Sequence, residues 1–478
     1  MLRFVFKGCR RLPGTQNTTE FPHHFGRIST KRLFLILVVV GFGLRIGYGV
    51  VRYRSRLIHL SGQSFVESWD HDALNHVLIA KALLAGKGYI VDDCALPIGK
   101  DVPYAGQEAL FKAPFYQFFL AGIFAVPGFS FKLFFPLQAL LGGLSAGFVG
   151  LITWKVFRRL NAAWFAGISA AAHPTLVNSA SQPYNENLFF FYAASILVFL
   201  FWFQTQQSKW ALLCGILAGM CTLTRENGTI LLAAMALSIW STTDIQSEVR
   251  CAVVLLTAVA VVAPWTIRNY VQFGVFVPVS SIMGMDFKEG NNVCIASEGL
   301  FRPYWAEVPC PSVHRQVRAE IESRVWESRI PAAVLRDRAS QRVTAQFILA
   351  HPGTYTKLAF RRFWTTLLPY DPRGHQHFYE RAVPLLYWVL VFPAGISGMF
   401  VGLHRVETER ALLGLLILLN LISIAAVLYW SDLRFRLGSD LLLTCFAGWA
   451  YAKFFQRHSS LERQHGFDNR LKTLDQAA

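Results

Sequence analysis

The chain has 478 residues, of which 53% are apolar and 16% are charged, and its mean hydropathy is +0.36. This composition is typical of a polytopic membrane protein and excludes an ordinary water-soluble enzyme. Lysine and arginine exceed aspartate and glutamate by 46 to 29, a net charge of +17 that suits phosphate-bearing substrates or anionic lipid headgroups. Because the basic residues are spread among apolar segments, nucleic-acid binding is not indicated.

The amino-terminal segment, residues 1–32, contains seven basic residues and one acid, Glu20. By the positive-inside rule we predict that it is a cytoplasmic tail. The apolar run 33–51 is long enough to cross about 30 Å of hydrocarbon, so we predict a first transmembrane helix there instead of a signal peptide.

Nine further apolar spans predict ten crossings in all, with both ends of the chain in the cytoplasm. They lie at about 131–154, 161–176, 187–203, 210–223, 228–240, 251–267, 383–402, 411–430 and 437–455. The domain plan is a first outer loop at 52–130, a transmembrane core at 131–269, an outer domain at 270–382, carboxy-terminal transmembrane helices at 383–455 and a cytoplasmic tail at 456–478. The short apolar segment 114–127 is predicted to be a re-entrant or surface helix on the outer side.

The outer domain, 270–382, is predicted to be mixed or helical and water-soluble. Charges at three- and four-residue spacing between Ser312 and Gln346 predict one or two solvated helices, with a break at Pro331. The segment from His351 to Trp364 predicts an amphipathic helix near the membrane. Its basic residues, Lys357, Arg361 and Arg362, are expected to face lipid headgroups.

Eight cysteines are scattered without CxxC spacing, so no zinc or iron–sulfur site is indicated. Cys294 and Cys310 share the outer domain and would form a disulfide in an oxidising compartment. Cys94 would then be left unpaired.

Two carboxylates follow the first span, in the sequence Glu67-Ser-Trp-Asp70-His-Asp72. One interpretation is a catalytic base outside a membrane-embedded body. The other is that Asp70 and Asp72 favour a helix start, because acids in the first turn interact well with the helix dipole. Taken alone, the pair is more often a cap.

Charged residues also mark the predicted outer ends of several spans. These residues are Glu186, Arg225, Arg268, Arg434 and Arg436. Ionisable groups at membrane depth commonly mark a substrate path, and a guanidinium binds phosphate oxygens bidentately. The alternative for any single arginine is snorkelling to lipid phosphates.

The order of these segments along the chain resembles a known family. The segments are Asp72-Ala-Leu-Asn-His76-Val-Leu-Ile-Ala80, Gly86-Lys-Gly-Tyr89, Lys112-Ala-Pro114-Phe-Tyr116, Glu186, Trp265-Thr-Ile-Arg268-Asn269-Tyr270 and Arg434-Phe-Arg436. From about Leu33 to Tyr451 the chain is similar to the polyprenyl-phosphate-sugar-dependent glycosyltransferases of the GT-C fold, of the family 39-like type that includes protein mannosyltransferases and aminoarabinose transferases. The resemblance implies an all-α polytopic membrane protein.

The resemblance also implies roles for individual residues. Asp72 occupies the position of the base that deprotonates an acceptor hydroxyl, with Asp70 in reserve and Glu186 as a second acid. Carrier phosphate would be bound by a basic set, and other residues would lie near the substrate. The basic set is Arg268, Arg225, Arg434, Arg436 and Lys112, and the neighbouring residues are His76, Tyr89, Tyr116 and Asn269. His76 departs from the family pattern, which usually has tyrosine there.

The expected function is transfer of a sugar from a polyprenyl-phosphate carrier to an acceptor hydroxyl on the outer side of a membrane, most simply the bacterial inner membrane with the site on the periplasmic side. The acceptor could be a glycan, a lipid or a protein. No cofactor is expected, and although Asp70, Asp72 and Glu186 resemble the acids that hold a divalent metal in some relatives, we predict transfer without a metal. The alternative is a transporter or flippase for a lipid-linked or anionic solute. Long outer loops and charges at span ends argue against that alternative.

Overall fold

The computed structural model describes residues 29–57, 71–92, 106–126, 131–205, 207–226, 228–240, 245–297, 310–324, 329–369, 378–404, 408–426 and 434–475. Asp70 and Cys94 lie outside these residues. Within them the structure is helical, and the β interaction it contains is an isolated antiparallel bridge between Ile90 and Glu108. The predicted all-α class is therefore confirmed.

The helices of the described residues are numbered here in chain order. They are α1 (Thr30–Leu57), α2 (His71–Leu84), α3 (Phe115–Phe124), α4 (Phe131–Phe157), α5 (Leu160–Ala171), α6 (Pro174–Ser179), α7 (Phe189–Thr205), α8 (Ser208–Thr224), α9 (Gly228–Trp240), α10 (Ile245–Phe273), α11 (Met283–Gly290), α12 (Val293–Ala296), α13 (Pro311–Glu322), α14 (Ala332–Ala350), α15 (Pro352–Thr366), α16 (Phe378–His404), α17 (Thr408–Ala426) and α18 (Leu437–Asp475). A short 3-10 helix, Asn185–Leu188, precedes α7.

Each predicted span overlaps a helix, although the span predicted at 161–176 is divided between α5 and α6 and the one at 411–430 extends beyond the described residues. Within the described residues, α1, α4, α10, α16 and α17 contain stretches long and apolar enough to cross a membrane, and α3, α5, α7, α8 and α9 contain shorter apolar stretches. The total of ten crossings stays a prediction. At ten residues, α3 is about 15 Å long, half the hydrocarbon thickness, which is the length expected of a re-entrant or surface helix.

The membrane body is held together by close helix packing. A Cβ atom added to Gly143 of α4 would lie 2.6 Å from the Val38 carbonyl oxygen of α1, so the two backbones approach more closely than a larger residue allows. Elsewhere the body has a continuous apolar core between α4, α5, α7, α8, α17 and α18, in which Trp202, Phe446 and Trp449 are buried. This close packing fixes the positions of the helix ends from which the connecting segments emerge.

The outer helices are tied to the first outer loop. Ser281, just before α11, donates its backbone N–H to the Leu110 carbonyl oxygen at 2.7 Å. Asp337 of α14 accepts hydrogen bonds from the backbone N–H groups of Gly284 (2.6 Å) and Met285 (3.3 Å), which satisfies the N-terminus of α11. The loop that carries Lys112 is therefore anchored to the outer domain.

The predicted orientation of α15 is wrong for two of its three basic residues. Lys357 is exposed, but Arg361 and Arg362 are buried, at 8% and 1% exposure. Arg362 donates to the carbonyl oxygens of Ala425 and Gly290, and Arg361 donates to that of Ile295. Carbonyl groups at helix ends need donors, and these two arginines supply them in place of contacts with lipid headgroups.

The structure contains a disulfide between Cys294 and Cys310, whose Cα atoms are 5.9 Å apart. It joins α12 to the start of α13 and lies against Val313, Val317, Ala339 and Val343. The pairing that the sequence allowed is thus formed.

Removing this disulfide is expected to destabilise the outer domain. It closes a loop with a sequence separation of 16 residues, for which loop-closure entropy gives about 3 kcal/mol. The Cys294→Ser/Cys310→Ser double variant should therefore melt at a lower temperature than the wild type, as measured by thermal unfolding in detergent. Reductant should lower the melting temperature of the wild type and leave that of the double variant unchanged. Equal melting temperatures would contradict the prediction.

Candidate active site

Asp72 lies in the first turn of α2 and forms ion pairs with two basic residues from distant parts of the chain. Its Oδ1 atom is 2.7 Å from Lys112 Nζ, and its Oδ2 atom is 3.3 Å from an Arg434 guanidinium nitrogen. The Asp72 side chain is 42% exposed, against 16% for Lys112 and 21% for Arg434. The structure therefore brings together three of the predicted site residues in an arrangement that solvent can reach.

The two cations dominate the electrostatics of Asp72. The Lys112 ammonium, and to a lesser degree the Arg434 guanidinium, hold the pKa of the Asp72 carboxyl far below its ordinary value against the opposing effect of burial. Asp72 is therefore a carboxylate at every physiological pH. A carboxylate this strongly stabilised accepts a proton poorly while both cations remain on it.

His76 lies one turn further along α2 and is buried. Burial, followed by the nearby Lys112 charge, lowers the pKa of His76 well below its ordinary value, so the imidazole is neutral. With the Gln117 side-chain oxygen turned toward it, His76 Nδ1 donates at 2.8 Å while the amide nitrogen of Gln117 donates to the Ala113 carbonyl oxygen at 2.7 Å. The ring also packs edge-on against Tyr116. These contacts support a structural role for His76 beneath the Lys112 loop.

Glu186 and Arg225 form a second ion pair, which is more deeply buried. Glu186 is 1% exposed and accepts a hydrogen bond from Arg225, whose guanidinium lies over the Phe435 ring at 5.2 Å. The neighbouring Arg434 guanidinium lies over the Tyr184 ring at 5.3 Å. Arg225 thus contacts Phe435, and the adjacent Arg434 contacts both Tyr184 and Asp72. The Glu186–Arg225 pair therefore lies beside the group formed by Asp72, Lys112 and Arg434. Sequence spacing did not specify that Glu186 would pair with Arg225.

An apolar cavity adjoins the Glu186–Arg225 pair. It lies between the 3-10 helix and α7, α8, α9, α17 and α18 and has a volume of about 30 Å³. Its apolar walls include Leu188, Tyr192 and Ile230, and Arg225 and Asn185 are among its few polar residues. The lining is chemically suited to an apolar group whose anionic end meets a guanidinium.

Arg268 and Tyr89 contact the loop that carries Lys112, and Asn269 lies beside Arg268. Arg268 lies over the rings of Trp265 and Phe273 and is 3.5 Å from a Glu108 carboxylate oxygen. Asn269 is buried and donates to the Val277 carbonyl oxygen. Tyr89 donates its hydroxyl to the carbonyl oxygen of Lys112 at 3.0 Å. The contacts of Tyr89 and Arg268 hold the Lys112 loop in place, whereas Asn269 holds the segment that follows α10. The predicted contact of these three residues with substrate remains a prediction.

Arg436 lies in a different environment from Arg434. It is 7% exposed, forms an ion pair with Asp440 at 2.9 Å and donates to the carbonyl oxygens of Thr366 and Leu368. Asp440 is also 3.2 Å from His173. Since these contacts join the start of α18 to the end of α15, they support a structural role, and the predicted phosphate contact of Arg436 is untested. Tyr116 is similarly buried and donates to Gln138 at 2.8 Å.

Two acids near the site were not singled out by the sequence patterns. Ser280 donates to Glu226, and Asp286 lies in the first turn of α11. Burial, reinforced by the Glu226 charge, raises the pKa of Asp286 well above its ordinary value, and the charges of Lys112 and Asp72 act on it as well. Asp286 is therefore close enough to Asp72 and Lys112 for their charges to affect it. A single acid between Met285 and Phe287 forms no sequence pattern that would have marked it.

The residues that the structure describes include no group of three or more His, Cys, Asp or Glu side chains placed to hold a metal ion. Transfer without a metal therefore remains a prediction, since Asp70 is outside the described residues.

Comparison with known proteins gives a match over part of the sequence. Residues 111–267 match the family described as dolichyl-phosphate-mannose-protein mannosyltransferase. None of the curated proteins compared matches the chain. The family match includes Lys112, Glu186 and Arg225, but it begins after Asp72 and ends before Arg434.

Solved structures match over a larger part of the chain. The oligosaccharyltransferase of Archaeoglobus fulgidus in its apo form has a TM-score of 0.52 and 15% identity, over 93% of this chain and 53% of that one. The same organism's oligosaccharyltransferase AglB, in complex with an inhibitory peptide and a dolichol-phosphate, has a TM-score of 0.51 and 15% identity, over 91% and 52%. ArnT from Cupriavidus metallidurans bound to undecaprenyl phosphate has a TM-score of 0.39 and 14% identity, over 89% and 77%.

The fold is that of the GT-C membrane glycosyltransferases. The predicted resemblance and fold class are thus confirmed, and the chain is an integral membrane protein. It spans about half the length of the archaeal oligosaccharyltransferase.

Proposed function

We propose that this protein is a membrane glycosyltransferase that moves a sugar from a polyprenyl-phosphate carrier to an acceptor hydroxyl. The observation that carries the proposal is the Asp72 group, in which one carboxylate and two cations meet beside an apolar cavity. The reaction needs these parts: a base for the acceptor, positive charge for the departing phosphate, and an apolar site for the isoprenoid chain.

The proposed reaction is an in-line displacement at the anomeric carbon. The acceptor oxygen forms a bond to that carbon as the bond to the phosphate oxygen breaks, and the electron pair leaves with the phosphate. Lys112, Arg434 and Arg225 stabilise the negative charge that develops there. Asp72 takes the proton of the acceptor hydroxyl. The isoprenoid chain lies along the apolar surface to which Leu188, Tyr192 and Ile230 belong.

The nature of the donor is supported by the similar proteins. The matching family is described by dolichyl-phosphate-mannose, and the structure of AglB is a complex with a dolichol-phosphate and a peptide. Both descriptions contain a polyprenyl-type phosphate. By analogy, we propose a donor of this chemical class for the present chain, with a glycan, lipid or protein acceptor.

The site is proposed to face the outer side of the membrane, most simply the periplasmic side of a bacterial inner membrane. The Cys294–Cys310 disulfide supports this placement, because structural disulfides form in oxidising compartments. The basic tail at 1–32 supports it as well, since such segments remain in the cytoplasm.

The direct test is to incubate the purified protein with a panel of radiolabelled polyprenyl-phosphate sugars and a crude acceptor fraction. Consumption of one donor, with release of polyprenyl phosphate and label in the acceptor, is the expected result. If no donor is consumed, and labelled carrier instead crosses the bilayer of proteoliposomes, the protein is a transporter and the proposal fails.

A further inference from the structure

The Asp72 carboxylate and the phosphate of the proposed carrier need the same two cations. Lys112 Nζ is 2.7 Å from Oδ1 of Asp72, and the Arg434 guanidinium is 3.3 Å from Oδ2. Both contacts are made through atoms that would bind phosphate oxygens. The base and part of the phosphate site are therefore joined to each other before a donor arrives.

We propose that the carrier phosphate competes with Asp72 for Lys112 and Arg434, so that donor binding draws the cations away and frees the base. This inference rests on the proposed function and adds a regulatory step to the same site. Its consequence is an order of events in which Asp72 becomes an effective base only when a sugar phosphate is bound.

The exposure of these groups makes the exchange feasible. Asp72 is 42% exposed and the two cations are 16% and 21% exposed, so a phosphate can approach them from solvent. The other ion pairs of the region are more enclosed: Glu186 is 1% exposed, and the Arg436 and Asp440 side chains are 9% and 12% exposed. Lys112 also has a flexible stem that allows its ammonium to swing between two acceptors.

The donor phosphate can compete with the carboxylate on similar terms. As a phosphodiester it presents two unesterified oxygens and one negative charge, as a carboxylate does, and an arginine binds such oxygens bidentately. The pKa of Asp72, now held low by Lys112, would rise as the cations shift and as a second negative charge comes near. Both changes make Asp72 a stronger base once the donor is bound, which is when the acceptor hydroxyl can react.

Competition has a reciprocal consequence for carrier binding. If phosphate binding weakens the interaction of Asp72 with the cations, then the Asp72 charge must weaken phosphate binding by the same factor. A variant without that charge should therefore bind the carrier more tightly than the wild type, although it cannot transfer sugar. A carboxylate that merely holds the two cations in place would have the opposite effect on carrier affinity.

The test is the dissociation constant of a short-chain polyprenyl phosphate, measured by titration calorimetry on the full-length protein in detergent. We expect Asp72→Asn and Asp72→Ser to bind about tenfold more tightly than the wild type, within the usual range of couplings between sites. Asp72→Glu, which keeps the charge, should bind like the wild type. Glu320→Gln is the matched control, because it removes one negative charge from a distant pair with Arg324 and Arg342 and should leave affinity unchanged.

Each outcome is decisive. Unchanged or weaker carrier binding by both neutral variants, with a normal melting temperature in at least one, overturns the competition while the proposed function stands. If the wild type itself binds no polyprenyl phosphate, the proposed function fails instead. Equal tightening by Glu320→Gln would mean that net charge, and not the Asp72 pair, controls affinity, and this too overturns the inference.

Discussion

Replacing Asp72 with asparagine is expected to lower the rate of sugar transfer by about 10²- to 10⁴-fold, the usual contribution of a general base. Asparagine has nearly the same shape and can still accept a hydrogen bond from Lys112, but it cannot take a proton from an acceptor hydroxyl. The measurement is the turnover number with a saturating radiolabelled donor. Because the Asp72 side chain is 42% exposed and asparagine has nearly its shape, the melting temperature should change little.

Two comparisons make the loss of activity interpretable. Asp72→Glu keeps a carboxylate and should retain part of the activity, whereas Glu320→Gln should be fully active because its ion pairs lie in the outer domain. The assignment of Asp72 as the base is wrong if Asp72→Asn transfers sugar at the wild-type rate. A loss of carrier binding along with turnover would indicate a misassembled site instead of a missing base.

Replacing Arg362 with alanine is expected to reduce the free energy of unfolding by about 3 kcal/mol or more, because several buried acceptors lose their donor at about 1–3 kcal/mol each. Arg362 is 1% exposed and donates to the Ala425 and Gly290 carbonyl oxygens and to the side-chain oxygen of Asn291. The alanine variant would leave these buried acceptors without that donor and would open a cavity. Chemical or thermal unfolding of the purified protein in detergent measures the effect.

Lys357 supplies the control for this prediction. It lies on the exposed side of the same helix, α15, so Lys357→Ala removes an equal charge without affecting the buried contacts. The free energy of unfolding should change by no more than about 0.5 kcal/mol. Arg362→Lys should fall between the two, because an ammonium cannot reproduce the planar fork of the guanidinium. If the Arg362 and Lys357 alanine variants unfold alike, Arg362 is not the anchor that its contacts indicate.

The sequence predicted the helices well because hydrophobic length is a local property. It failed for Arg361 and Arg362 for a physical reason. An amphipathic pattern shows which face of a helix is polar, but it does not tell whether that face meets water, lipid headgroups or the carbonyl oxygens of other helices. Here Arg362 meets the carbonyl end of α17 at Ala425. That partner lies 63 residues away and leaves no trace in the local pattern.

The candidate site was predictable only in part, for a related reason. Asp72, Lys112 and Arg434 were each chosen from span ends and from the order of family-like segments, and the structure brings these three together. Arg436, chosen by the same rule, instead faces Asp440. A shift of two residues just before α18 is enough to turn a side chain from Asp72 toward the buried Asp440. Asp286 was missed because a single acid beside glycine and methionine forms no recognisable pattern.

The separation of Asp72 from Arg434 along the chain has a consequence for biosynthesis. The two residues are 362 positions apart, so at 5–20 residues per second the ribosome needs about 20–70 s between them. Lys112 is only 40 residues from Asp72, so it is synthesised soon after Asp72 and long before Arg434. Translation products that stop before Arg434 would therefore have the carboxylate without its arginine.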